Sequence, residues 1–278
     1  MNTEKAAYKL YNTIPGRMVL KVLTMPAVSK LAGLYMDCPV SKIHIKSFVK
    51  NNNINLYDYE DKDYKSFNDF FTRKIKKYNR IVNYNPENFI SPCDAKLTVC
   101  PITKDKISGN SRFKIKGSYY NLNELLRNSK LAANYEGGYC LIFRLSVDDY
   151  HRYCYIDNGK KSRNIYIKGK LHTVMPVALE RKKVFSENCR EYTVMRTDNF
   201  DDVIQMEVGA MLVGKIQNHD GKGKTVRGQE KGMFLYGGST IILLVKQDII
   251  NINDNIIENS KNNIETKVKF GETIAYHA

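Results

Sequence analysis

The chain has 278 residues, 42% of them hydrophobic and 26% charged, which allows a substantial core in one large domain or one domain with an appendage. Its six cysteines include no C-x-x-C pair and no Cys/His cluster at zinc-ligand spacing, which argues against a disulfide-stapled mini-domain and against a metal site. A formal charge of +15 points to a polyanionic partner, either nucleic acid or an anionic membrane surface, or to nothing more than a Lys-rich composition.

Residues 1–82 read as helical. The most apolar stretch, Met18 to Tyr35, is interrupted by Lys21, Pro26 and Lys30 and barely reaches membrane-spanning length. It suits a helix lying in the membrane interface, or equally an ordinary helical pair packed on a core. Asn51-Asn52-Asn53 marks a loop between helices. Ser66 is placed to cap a helix, with Asp69 three residues on as in a capping box. Phe67, Phe70, Phe71 and Ile75 share one face of that helix, and Arg73, Lys74, Lys76 and Lys77 load its C-terminal end. No secretory leader is read, so a reducing cytosol is the expected setting.

From about Ile90 the pattern becomes β-like. Short runs follow at 96–100, 139–145, 164–174, 191–196, 203–208, 210–216, 233–236, 240–245 and 267–275. Polar or glycine-containing segments separate most of them. The expected fold is therefore α+β: a helical N-terminal part, then a mainly antiparallel β sandwich or partly closed barrel over residues 83–278. Asp248 to Asn263 reads as a polar surface excursion, and His219 to Lys224 as a flexible loop.

Four stretches carry candidate chemistry. Ser91-Pro92-Cys93-Asp94 sets an Asp in a Pro-fixed turn before a strand. Asp148-Asp149-Tyr150-His151 follows an apolar run and offers a proton carrier near neutral pH. Val208-Gly209-Ala210 and Val213-Gly214 put glycines inside β-like sequence, where a sheet bends or a backbone approaches closely. Gly237-Gly238-Ser239-Thr240 places a serine behind two glycines at the mouth of the apolar run Ile241 to Val245. Each is also an ordinary structural motif when taken alone; their combination is what stands out.

That combination resembles the phosphatidylserine decarboxylase proenzymes. Phe67-Asn68-Asp69-Phe70-Phe71-Thr72-Arg73 is similar to the family's F-x-x-F-F-x-R, and Ser91-Pro92-Cys93-Asp94-Ala95 to its S-P-x-D-G. Asp149-Tyr150-His151-Arg152 is similar to D-Y-H-R, residues 208–214 to V-G-A-x-x-V-G, and Gly238-Ser239-Thr240 to the G-S-T processing site. The resemblance runs in order from about Tyr57 to the C-terminus. Two positions depart from it. Ala95 replaces a glycine, and Cys154 stands where the family often has a second histidine.

The resemblance implies self-cleavage between Gly238 and Ser239 into a large chain, 1–238, and a small chain, 239–278. Asp94 and His151 would activate the Ser239 hydroxyl, with Cys154 as an auxiliary candidate. Ser239 would become a covalent pyruvoyl group that engages the substrate amine as a Schiff base and carries the decarboxylation of phosphatidylserine to phosphatidylethanolamine and CO2. No metal and no nucleic acid enter this scheme. The implied partner is an anionic membrane, met as a peripheral protein at the cytoplasmic face, and a homodimer is left open. Two other readings stand beside it: a Ser-His-Asp hydrolase, which lacks a G-x-S-x-G elbow here, and a non-enzymatic basic β-domain binding lipid or RNA.

Overall fold

A computed structural model describes residues 3–211, 215–236 and 239–278. The N-terminal part is helical: α1 (Thr3–Asn12), α2 (Ile14–Leu23) and α3 (Pro26–Asp37), followed by a 3-10 turn over Pro39–His44 and α4 (Ile45–Asn51). Thr13 Oγ1 accepts the Gly16 N–H and caps α2, while Pro15 and Pro26 sit in the first turns of α2 and α3, where the missing N–H costs nothing. No single helix among the described residues is long and apolar enough to cross a membrane; α2 and α3 are bent by 66° at their junction. Tyr11 and Leu20 are buried in the main core, so these helices are docked on the β-rich part.

The Ser66 helix is α5 (Phe67–Phe71), much shorter than its periodicity suggests. Ser66 Oγ accepts the Asp69 N–H at 3.2 Å, as a cap should. The Asp69 carboxylate does not return to Ser66 but accepts from Lys65 N at 2.9 Å. Arg73 is not an exposed helix-end cation. It is buried, with its guanidinium over the Tyr59 and Phe70 rings at 4.3 and 4.8 Å.

The main sheet has nine strands. Its order is Gly223–Thr225, Gly159–Lys161, Arg190–Thr197, Asp202–Val208, Ser239–Val245, Tyr139–Leu145, Ala95–Pro101 and Thr266–Val268, and Ile165–Ile167 also pairs with the Arg190 strand. Every pairing is antiparallel. Three smaller sheets of three strands surround it, and none of the sheets closes into a barrel among the described residues. The central strand Ser239–Val245 is buried throughout, because separate apolar clusters cover its two faces. Ile242 and Leu244 enter one cluster, and Ile241, Leu243 and Val245 the other. Each such side chain contributes about 1.5–3 kcal/mol of burial.

Three β-like runs behave differently from the expectation. Residues 164–174 supply only the strand Ile165–Ile167, and 267–275 splits into Thr266–Val268 and Thr273–His277. The run 210–216 leaves Ile216–Asn218 as a strand, with residues 212–214 outside the described set. The Asn-rich segment 248–263 is not a plain excursion. It forms the strand Ile250–Ile252 and a helix, Asp254–Lys261, whose Ile256 is buried. Gly223–Thr225, at the end of the supposed flexible loop, pairs with the Gly159 strand.

Candidate active site

Ser239 opens the central strand and pairs with Leu145, while its neighbour Thr240 pairs with Arg144 and Val208. Strand alternation places Ser239 on the same face as Ile241 and Leu243. Its hydroxyl is buried and has no hydrogen-bond partner among the described residues. A buried hydroxyl left in that state costs on the order of 1–3 kcal/mol, so the fold holds it there against its own stability. Gly237 and Gly238 lie outside the described residues.

Asp94 lies at the same end of the sheet. Lys96 pairs with Arg144, so the Asp94 turn leads into the strand two places from Ser239, roughly 10 Å across the sheet. The turn is fixed by Ser91 Oγ donating to the Cys93 carbonyl at 2.7 Å and by Cys154 N donating to the Pro92 carbonyl at 2.9 Å. The carboxylate accepts from Arg80 Nε and from the Phe270 N–H, both at 2.8 Å, and is ion-paired with Arg80 Nη2. Arg80 thus balances its charge.

His151 follows the same strand end. After Leu145 the chain turns, and the turn is closed by Ser146 N donating to Asp149 Oδ2 at 2.7 Å. His151 Nδ1 lies 2.9 Å from the Asp149 carbonyl. A carbonyl can only accept, so Nδ1 carries the hydrogen and Nε2 is the basic nitrogen of the neutral ring. The ring is buried against Phe71, with centroids 4.1 Å apart, and Phe71 in turn meets Tyr236 at 5.3 Å. The His151 carbonyl accepts the Phe234 N–H at 2.9 Å, which binds it to the strand that leads toward Ser239. Burial raises the Asp149 carboxyl from 3.8 to about 6.

Cys154 takes a different place. Its side chain is fully buried in the apolar cluster that holds Phe89, Leu145 and Phe234, and burial pushes its thiol well above the ordinary range. A protonated thiol is a poor base.

A sequence model of the family described as phosphatidylserine decarboxylase matches residues 67–276. The chain belongs to the phosphatidylserine decarboxylase family. It is 48% identical over 266 residues to the phosphatidylserine decarboxylase proenzyme 2 of Clostridium acetobutylicum, covering 95% of this chain and 89% of that protein. It is 41% identical to a proenzyme of Ruminiclostridium cellulolyticum, covering 95% and 89%, and 38% identical to one of Clostridium tetani, covering 98% and 91%.

Within this decarboxylase fold, several residues beside the motif positions shape the site. Asn68 is buried between two partners. Its Oδ1 accepts the Tyr236 N–H at 3.0 Å, and its Nδ2 donates to Asp37 Oδ1 at 2.9 Å. It thereby links α3 to the backbone three residues before Ser239. Glu207 and Lys231 form a fully buried ion pair, Nζ to Oε2 at 2.7 Å. Glu207 pairs with Ile241, so it lies on the face of the sheet that carries Ser239. Lys231 is the extra residue of a bulge between Glu230 and Gly232. Gly232 is required beside it, since a Cβ there would meet the Gln217 carbonyl at 2.3 Å. The one sequence signal for the pair was a charged residue inside the mostly apolar strand run 203–208.

Proposed function

We propose that this chain decarboxylates phosphatidylserine to phosphatidylethanolamine and CO2, with a pyruvoyl group made from its own Ser239. The observation that carries the reading is the buried Ser239 hydroxyl, without a hydrogen-bond partner among the described residues, at the sheet end where Asp94 lies and from which the chain turns to His151. Family membership supports the same chemistry, and neither the hydrolase nor the non-enzymatic reading gains comparable support.

Self-cleavage follows from these groups. Ser239 Oγ attacks the Gly238 carbonyl carbon while His151 Nε2 takes its proton. The Asp149 carbonyl at Nδ1 holds the ring in this tautomer and favours the imidazolium that forms, while Asp94, held by Arg80, is assigned a supporting role at the same end of the sheet. The amide becomes an ester and the Ser239 amine is freed. Once the proton has passed from His151 to the freed amine, elimination removes the Ser239 Cα proton to His151, breaks the Cβ–Oγ bond, releases the Gly238 carboxylate and leaves a dehydroalanine, which water converts to the pyruvoyl group and ammonia. The product fits this site, because it is no larger than the serine it replaces and needs no partner for the vanished hydroxyl.

The pyruvoyl carbonyls supply the electron sink when CO2 leaves the substrate. The chain's own residues orient the headgroup and return a proton to the α-carbon, a task assigned to His151. Phe71 and Tyr236 keep water from the reacting centre.

Attachment is peripheral, at the cytoplasmic face of the membrane. Ile14, Met18, Val19, Val22, Leu31 and Leu34 are exposed on α2 and α3, and Met25 at their junction, interleaved with Arg17, Lys21 and Lys30. That pattern suits an anionic interface. Six free thiols suit a reducing compartment.

The test compares the native protein with Ser239→Ala on a denaturing gel and in a CO2-release assay with phosphatidylserine vesicles. The native protein gives two fragments and releases CO2; Ser239→Ala gives one chain and none. A native chain that stays whole yet releases CO2 overturns the proposal.

A further inference from the structure

A cavity of about 310 Å3 opens between α3 and the segment leading to Ser239. That volume is within the range of small-molecule sites. One wall is a single face of α3: Pro26, Ser29, Lys30, Gly33, Leu34 and Asp37, spaced one helical turn apart. The opposite wall includes Lys215, Leu235 and Tyr236, so the cavity reaches to within three residues of Ser239.

Two features give the cavity a chemical preference. Lys30 and Lys215 line it, and neither ammonium has a carboxylate partner among the described residues. The one lining carboxylate, Asp37, is engaged through Oδ1 by Asn68. With two ammoniums and one carboxylate, the lining carries a net positive charge, which favours an anion. Leu34 lines the cavity yet is 56% exposed, and Met25 and Leu31, next in sequence to the lining residues Pro26 and Lys30, are exposed as well. Gly33 adds room, since a Cβ there would meet nothing within 4 Å.

We infer that this cavity is the headgroup subsite, in which Lys30 and Lys215 clamp the lipid phosphodiester while Leu34 guides the acyl chains outward. The inference rests on the decarboxylase reading above. It assigns the lysines to the phosphate and not to the substrate carboxylate, because holding that carboxylate as an anion would oppose its departure as CO2.

The experiment uses the self-processed protein and dihexanoyl phosphatidylserine below its micelle concentration, so that bulk membrane attraction plays no part. Lys30→Ala and Lys215→Ala are each expected to raise KM about fivefold or more, the scale of one partly exposed charge contact, with kcat within about twofold. Lys→Arg at either position restores most of the loss. Gly33→Phe fills the cavity and raises KM without touching a charge. Lys106→Ala, at an exposed lysine outside the cavity and away from α2 and α3, leaves KM for the monomeric lipid unchanged. Calorimetric binding of dihexanoyl phosphatidylethanolamine should weaken in the same two alanine variants, and this readout needs no turnover. If the native protein binds that lipid through the two lysines but releases no CO2, the clamp stands and the decarboxylase reading falls. Unchanged KM and unchanged binding in both alanine variants would overturn the clamp, as would an equal effect of Lys106→Ala.

Discussion

Lys231→Met should be among the most damaging single changes that leave the Asp94, His151 and Ser239 positions untouched. Lys231 Nζ donates to Glu207 Oε2 at 2.7 Å and to Asn218 Oδ1 at 2.9 Å, and both members of the ion pair are fully buried. Methionine keeps most of the side-chain volume and removes the charge. Glu207 is then a buried carboxylate whose closest remaining partner is Asn218 Nδ2 at 3.2 Å. Breaking a buried pair from one side costs about 3–5 kcal/mol, much of it the stranded charge. Removing both charges, as in Glu207→Leu with Lys231→Met, should recover most of that loss, because the site also loses its desolvation cost. The pH dependence has a fixed sign. Burial already raises the Glu207 carboxyl above its ordinary 4.5, and without Lys231 it rises further. A group whose pKa is raised on folding stabilises below the unfolded value and loses that contribution as pH climbs through the folded one. The deficit of Lys231→Met should therefore be small in acid and grow as pH climbs above 4.5. Urea denaturation in the uncleaved Ser239→Ala background, at several pH values, measures it on one continuous chain. A cost below about 1 kcal/mol at neutral pH, or a double variant no better than Lys231→Met alone, would refute the reasoning.

Three further predictions follow from the site. Asp149 titrates at about 6 in the folded protein against an ordinary 3.8, because burial opposes its charge. Its contribution is thus full below 3.8 and is lost through about pH 6, and Asp149→Asn should flatten the stability-versus-pH curve in that window; an unchanged curve would discard the assignment. Asn68→Ala strands the Tyr236 N–H and frees Asp37, so cleavage followed by timed gels should slow by about tenfold, as expected for about 1–2 kcal/mol of lost positioning, while melting shifts little. Equal cleavage rates would reduce Asn68 to a packing residue. Cys154→Ala should cleave at close to the native rate, since the buried protonated thiol is no base; a loss of about a hundredfold or more, the scale of a general base, would restore Cys154 to the cleavage chemistry.

Local pattern made much of this fold readable. The apolar runs at 139–143 and 241–245 became parts of neighbouring central strands, because continuous hydrophobicity reports burial on both faces. The capping role of Ser66 was equally plain. The extent of its helix was not: the chain leaves the helix at Thr72, and Arg73 turns inward onto Tyr59 and Phe70. Short polar strands such as Ser111–Ile115 and Ser118–Asn121 carried no alternation long enough to separate them from loops. Within the site, Ser239, His151 and Asp94 were visible as motif members. Their supports were hidden, because Arg80 meets Asp94 and Asn68 meets Tyr236 across 14 and 168 residues of chain. Glu207 and Lys231 are likewise joined only by the sheet register and a bulge. Nothing local marks such pairings.

The central claim is that Ser239 is converted into the group that carries the reaction. Intact-mass spectrometry of the purified protein tests it directly. Two species are expected, a chain ending at Gly238 and a fragment of residues 239–278 that is one ammonia lighter than its serine-initiated form. Together they should weigh one water more and one ammonia less than the uncleaved chain. A single full-length mass in protein that turns over phosphatidylserine, or a small fragment that retains its serine amine, would contradict it.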